Sequence, residues 1–241
     1  MNSGNAEVFF VNNFELSSSG PRRARLIIEP VEVEARLHEL HPDLTSALLR
    51  AAVIGGLGAR NDVTRASAPT AAGVQQWLTT VEDLRKILAK LQWKIHEHQN
   101  CPFISSPEHE VSVVVMTGNS ETGKEGFDDP TNQAEKGAVA EGYVQRNFNQ
   151  LELFNDSALK LAKSKARETQ VWALLYHYDK KLKQLRFELS LPTGFSRKKI
   201  TQWGERLIFG AVPNSPDEFT ITKEEPGAPA TVEVVPKKGA F

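Results

Sequence analysis

Apolar and polar positions alternate most regularly between Gln170 and Leu191, in the run QVWALLYHYDKKLKQLRFELSL. A two-residue turn at Lys180-Lys181 would bring its halves into antiparallel register, with Tyr176 opposite Leu185, Leu174 opposite Phe187 and Trp172 opposite Leu189. Those pairs share one apolar face. The alternate positions pair His177 with Gln184, Leu175 with Arg186, Ala173 with Glu188 and Val171 with Ser190, a face of mixed polarity. A one-residue slip would send every core side chain to the wrong side, so the pattern predicts a hairpin with one buried face.

The rest of the chain reads as helices and strands around that hairpin. Glu7 to Val11 is a short strand candidate, and Arg25 to Val33 is β-rich but carries Pro30, which predicts an edge or bulged strand. Leu44, Ala47, Leu48 and Ala51 recur at helical spacing, with Gly55-Gly56 as the expected end and residues 55 to 73 as a loop. Val74, Trp77, Leu78, Val81, Leu84, Leu88, Leu91 and Ile95 form the longest apolar stripe and predict a helix to about Ile95. Val111 to Thr117 reads as a buried strand, followed by a polar loop with Gly118, Gly123, Gly126, Pro130 and Gly137. Helical patterning returns with Val144, Phe148 and Leu151, and again with Leu159 and Ala162 behind an Asp156 or Ser157 cap. After the hairpin, Ser196 is placed to cap a short helix through Trp203, and Arg206 to Val212 reads as a strand. The expectation is an α+β fold, a mixed or antiparallel sheet with a central hairpin packed against helices. It comprises one domain over residues 1–212 and a proline-rich, weakly ordered tail over 213–241, with one strand at Thr231 to Val235.

Composition adds limits. In 241 residues, 40% hydrophobic and 24% charged is ordinary for a globular chain, and no apolar run approaches the roughly 18 residues of a membrane span. The start MNSGNAEVFF lacks the basic and apolar stretches of a secretory signal, and the single Cys101 excludes an internal disulfide framework. A cytoplasmic protein is the expectation. The net charge of −1 conceals an asymmetry: residues 160 to 206 hold twelve basic and four acidic side chains, +8, which leaves −9 for the remainder. Such a contrast marks a surface for a polyanion or for an acidic partner.

Three stretches carry candidate chemistry. Gly118-Asn-Ser-Glu-Thr122-Gly123-Lys124 follows a strand as a phosphate-cradling loop does, but Glu125 stands where a hydroxyl should reach Mg²⁺, and Gly126 to Pro130 cannot begin the helix that would hold the phosphate. A non-standard loop offering backbone N–H groups and Lys124 to an anion is the form retained. His96, His98 and Cys101 are zinc-ligand types, but no second cysteine pair supports a metal site, and histidines at a helix C-terminus account for them. The third stretch is basic: Lys163, Lys165 and Arg167 before the hairpin, Lys180, Lys181 and Lys183 at its turn, and Arg197, Lys198 and Lys199 at the expected helix start, where three cations make sense if an anion is bound.

Short phrases resemble those of uncharacterised bacterial hypothetical proteins, some encoded on mobile or prophage elements: Arg65 to Gly73, VVMTGNSETGK at 114 to 124, FELSLP at 187 to 192 and WGERLIF at 203 to 209. The resemblance implies no activity; its context is phage or mobile-element biology, antiviral defence included. Taken together, the residues lead to binding of a polyanion, nucleic acid among them, through the 160 to 206 surface. The alternatives are an enzyme acting on a phosphate-containing ligand at the Gly118 loop and a subunit docking an acidic protein. No cofactor and no catalytic residue is indicated.

Overall fold

A computed structural model describes residues 23–126, 128–155 and 169–214. The strand candidates at Glu7 to Val11 and Thr231 to Val235, the helical segment at Leu159 and Ala162, and nearly all of the tail lie outside the described residues. Within them the fold is α+β with a mixed eight-stranded sheet: β1 (Arg25–Ile27), α1 (Pro30–Leu40), α2 (Ser46–Asn61), α3 (Ala71–Ala89), β2 (Lys94–His98), β3 (Cys101–Ser105), β4 (Val111–Thr117), α4 (Ala138–Asn155), β5 (Gln170–Asp179), β6 (Gln184–Ser196), β7 (Lys199–Ile208) and β8 (Val212–Pro213). The sheet order is β1-β7-β6-β5-β4-β3-β2, with β8 also on β6. β4 and β5 run parallel, joined across α4, and β1 runs parallel to β7. No helix among the described residues is long and apolar enough to cross a membrane.

The hairpin forms with the expected faces but a different register. Leu174 pairs with Leu189, Tyr176 with Phe187 and Tyr178 with Leu185, two residues from the expected pairing, because the turn has four residues (180–183). Asp179 sets that length: its carboxylate accepts from the N–H groups of Lys181 and Leu182, and Lys183 takes a left-handed φ of 47°. A shift of two preserves the side-chain alternation, so Trp172, Leu174, Tyr176, Leu185, Phe187 and Leu189 stay in the core on the α1–α3 side. Val114, Met116, Val171, Ala173 and Leu175 face α4 with Tyr143, Val144 and Trp203.

Four other elements differ from the reading of the sequence. Pro30 opens α1 instead of interrupting a strand, since proline lacks an N–H that the first helical position could not bond anyway. The α2 helix runs through Gly55-Gly56 to Asn61, its start capped by Thr45, whose Oγ1 accepts from the Leu48 N–H. These glycines let α3 approach: a Cβ on Gly56 would collide with Thr80 Oγ1 and stand 2.7 Å from the Gln76 carbonyl. The α3 helix stops at Ala89, where Gln92 at φ 69° reverses the chain, buries Trp93 and sends Ile95 into an exposed edge strand. His96 and His98 therefore lie on β2, not at a helix end. Arg197 and Lys198 form the two-residue turn between β6 and β7, with φ of 50° and 63°, where a Ser196-capped helix was expected. Both left-handed residues match the turn type that suits a twisted hairpin.

If packing against α3 is what requires glycine, Gly56→Ala will destabilise the protein by about 1 to 3 kcal/mol through overpacking. Gly58→Ala, with nothing within 4 Å of the new methyl, will stabilise it by up to about 1 kcal/mol through helix propensity. Denaturant melts of the two variants test this pair of opposite signs.

Candidate functional site

Residues 118 to 137 form a strap across one end of the sheet. The Asn119 and Gln133 N–H groups donate to the Thr131 and Thr117 carbonyls, Trp203 Nε1 donates to the Pro130 carbonyl, and Ile200 N donates to the Asn132 side chain. The strap covers the mixed face of the hairpin, which is why that face can be charged and buried at once. Glu188 is fully buried, and both its oxygens accept from Arg206, Oε1 from Nε at 3.0 Å and Oε2 from Nη2 at 2.7 Å. Ser190 Oγ and the Gly123 N–H complete its shell at 2.8 Å each. Arg186, also buried, donates to the Thr122 and Ser120 carbonyls and to Asp179.

This arrangement engages the Gly118 to Lys124 motif. The N–H groups of Gly118, Asn119, Glu121, Thr122, Gly123 and Lys124 are all donated within the protein. The carboxylate of Glu188 takes the amide that a phosphate would need. Gly123 is required by its φ of 67° and by β6, since a Cβ there would meet Arg186 Cβ at 2.8 Å and the Phe187 nitrogen at 3.0 Å. The Lys124 ammonium stands 3.4 Å from Glu121. Glu188 forms its ion pair with Arg206.

The basic residues separate into groups. Lys180, Lys181 and Lys183 lie at the β5–β6 turn and Arg197 to Lys199 at the β6–β7 turn, at opposite ends of the long strand β6. Twelve residue steps at about 3.3 Å place them on the order of 35 to 40 Å apart. Lys199 donates to the Asn132 and Gln133 carbonyls and Lys198 pairs with Glu135, so two of those three cations hold the strap. Lys163, Lys165 and Arg167 lie outside the described residues.

What the fold does assemble is a cleft of about 1100 Å³ where the carboxyl ends of the parallel strands β4 and β5 meet the start of α3. Arg60, Lys180 and Lys181 line it. The Arg60 guanidinium lies 4.3 Å from the centre of the Tyr178 ring and donates to Gln76 Oε1 at 3.3 Å. Gln76 is 2% exposed, and its enclosed Nε2 has no acceptor among the described residues. The first turn of α3 has no acidic residue and Thr70 makes no side-chain cap, so the N–H groups of Ala72 and Gly73, which precede the first intrahelical bonds, face the cleft uncapped. His177 Nδ1 lies 3.2 Å from the Gly118 carbonyl, an acceptor, so this nitrogen carries the proton; burial holds the imidazole below its ordinary pKa, chiefly neutral. Trp77 and Tyr176 supply apolar walls. Of the charged residues here, the sequence pointed to Lys180 and Lys181. Gln76 and Arg60 carry no motif, because their meeting depends on α2 and α3 lying side by side.

Among the described residues, no three His, Cys, Asp or Glu side chains are grouped to hold a metal ion. His96 is turned to Ser105 Oγ and stacked on Phe103, so it does not converge with His98 and Cys101. No family model, no curated protein and no solved structure matches the chain.

Two outcomes test the charge network. Glu188→Gln leaves Arg206 buried without its counterion and will cost about 3 to 5 kcal/mol in denaturant melts. Asp179, held at about 2 by the Leu182 N–H first and the Arg186 guanidinium next, is depressed below its unfolded value of about 3.9. Its contribution is present above that value and lost as pH falls from about 4 to about 2. In Asp179→Asn, stability measured against pH will be flatter across that window.

Proposed function

We propose that the protein binds a phosphate-bearing anion, a nucleotide or a stretch of single-stranded nucleic acid, in the cleft between the β4 and β5 ends and α3. One observation carries this reading: the unsatisfied groups on the α3 side of the cleft are donors. The α3 start is uncapped, and Arg60, Lys180 and Lys181 add positive charge around it. An anion would meet the α3 amides and these cations, and a helix N-terminus with free N–H groups favours negative charge. Ligands of open sheets with parallel strands bind outside the strands' carboxyl ends, where this cleft lies. Trp77 and Tyr178 give a base a surface to stack on.

The reading keeps the polyanion expectation but narrows its location. Lys180 and Lys181 remain in it; Arg197, Lys198 and Lys199 do not, because they sit at the far end of β6 and two of them bind the strap. An enzyme acting through the Gly118 loop is disfavoured by the loop's donated amides.

Titration calorimetry with a mononucleotide panel and with a single-stranded oligonucleotide across a salt series separates the two ligand forms. Lys180→Ala/Lys181→Ala is expected to weaken binding at low salt about tenfold or more and to reduce the salt slope for the oligonucleotide. Arg197→Ala/Lys198→Ala will leave affinity near wild type. Binding abolished by the second pair and untouched by the first would overturn the cleft assignment, as would no binding of either ligand at low salt.

A further inference from the structure

A second cleft, of about 550 Å³, lies on the α4 face between the start of α4 and the β2–β3–β4 edge of the sheet. Three side chains from three strands are linked within it. Ser105 Oγ is 2.6 Å from His96 Nε2 and 2.5 Å from Ser112 Oγ, both contacts at the short end of hydrogen-bond lengths. The register explains the chain: Ser105 lies opposite Ser112 in the β3–β4 pair, and His96 lies opposite Phe103 in the β2–β3 pair. The His96 ring stacks on Phe103 at 5.2 Å with 5° between planes, which holds its Nε2 toward the serine.

The charge state of His96 follows from its environment. Its own burial comes first, and the neighbouring His109, Arg85 and His98 add positive charge, so the imidazole is held below its ordinary pKa and is neutral near pH 7. In the tautomer that leaves Nε2 unprotonated, Ser105 donates to His96 and Ser112 donates to Ser105. A serine hydroxyl donating to a neutral imidazole is the elementary unit of an activated nucleophile. Across the cleft, Arg146 of α4 lies over Gly142, where a Cβ would stand 3.8 Å from its Nη1, and it makes no ion pair among the described residues. Phe103, Val139 and Val171 give the cleft an apolar wall.

We propose that Ser105 is a nucleophile for acyl transfer from small carboxylic esters, with His96 as its general base and Arg146 beside the developing oxyanion. Ser105 Oγ bonds to the acyl carbon as its proton passes to His96 Nε2, and the negative charge gathers on the former carbonyl oxygen. Collapse breaks the bond to the alcohol oxygen, which leaves with the proton from His96. Water, deprotonated by His96, then attacks the acyl-serine; as the bond from the acyl carbon to Ser105 Oγ breaks, His96 returns that proton to Oγ, and the carboxylic acid leaves. Ser112 positions the nucleophile by donating to it. This site shares no residue with the anion cleft, so either can stand without the other.

Full-length protein incubated with p-nitrophenyl acetate, and separately with a fluorophosphonate probe followed by peptide mass spectrometry, tests the assignment. Expected are turnover above buffer and a phosphonyl adduct on Ser105, with adduct formation slowing as pH falls through the His96 titration. Ser105→Ala and His96→Ala are each expected to reduce turnover about a hundredfold or more. Ser105→Cys, which keeps the position and the neighbouring imidazole, should be alkylated by iodoacetamide faster than Cys101. Wild-type protein that melts cooperatively yet gives neither turnover nor adduct overturns the proposal, and so does an adduct that persists in Ser105→Ala.

Discussion

The burial of Glu188 against Arg206 is the constraint from which the functional end of the molecule follows. A carboxylate and a guanidinium taken out of water cost several kcal/mol each unless their hydrogen-bonding capacity is filled. The two oxygens of Glu188 are met by Arg206, Ser190 and the Gly123 amide, and Arg206 extends to the Lys124 carbonyl and to Asp129. Asp129 is raised by its own burial, an effect that Arg206 opposes. The strap is thereby held to two central strands by charge, although few of its own side chains are apolar. Arg186 makes the same kind of bond to the Ser120 and Thr122 carbonyls. Buried polar groups that satisfy one another in this way fix a loop as firmly as an apolar contact would, because losing either partner leaves the other unpaired.

A strap fixed in that position closes one face of the sheet end and leaves the other open. Its Ser120 and Gln133 border the cleft that α3 and the β5–β6 turn complete. On the α3 side, Gly56 brings α2 and α3 together, with Thr80 Oγ1 donating to the Gln76 carbonyl at their contact. This places Gln76 beside Arg60 at the mouth of the cleft. The site is thus the product of two close approaches, one mediated by ions and the other by a glycine.

On the opposite side of the sheet, α4 covers β5, β6 and β7 but stops short of the edge. Beyond the apolar side chains of Phe103, Val114 and Met116, this face carries hydroxyls and an imidazole, the His96, Ser105 and Ser112 chain. Ser105 and Ser112 are nearly fully buried and must bond to something, and on this edge they bond to each other and to the histidine.

Local alternation determined a good deal by itself. The buried strand Val111 to Thr117, the helix from Ala138 and the apolar face of the 170 to 191 hairpin all follow from period and composition, since one-sided burial leaves a period in the sequence. Even the misjudged hairpin register kept its faces, because the error was two residues and strand side chains repeat every two. The turns were illegible where non-glycine residues take left-handed φ, as at Gln92, Arg197 and Lys198, and there a helix end and a helix start were read in place of a reversal and a hairpin. Gly55-Gly56 and Gly123 were read as a stop and as a phosphate motif, but each serves a neighbour distant in the chain, α3 in one case and β6 in the other. Only the tertiary structure decided which charges are buried and which are free: Glu188 with Arg206 inside, Lys180 and Lys181 outside. The reason is physical, because burial of a charge is settled by what covers it, and the strap that covers Glu188 arrives from about sixty-five residues away.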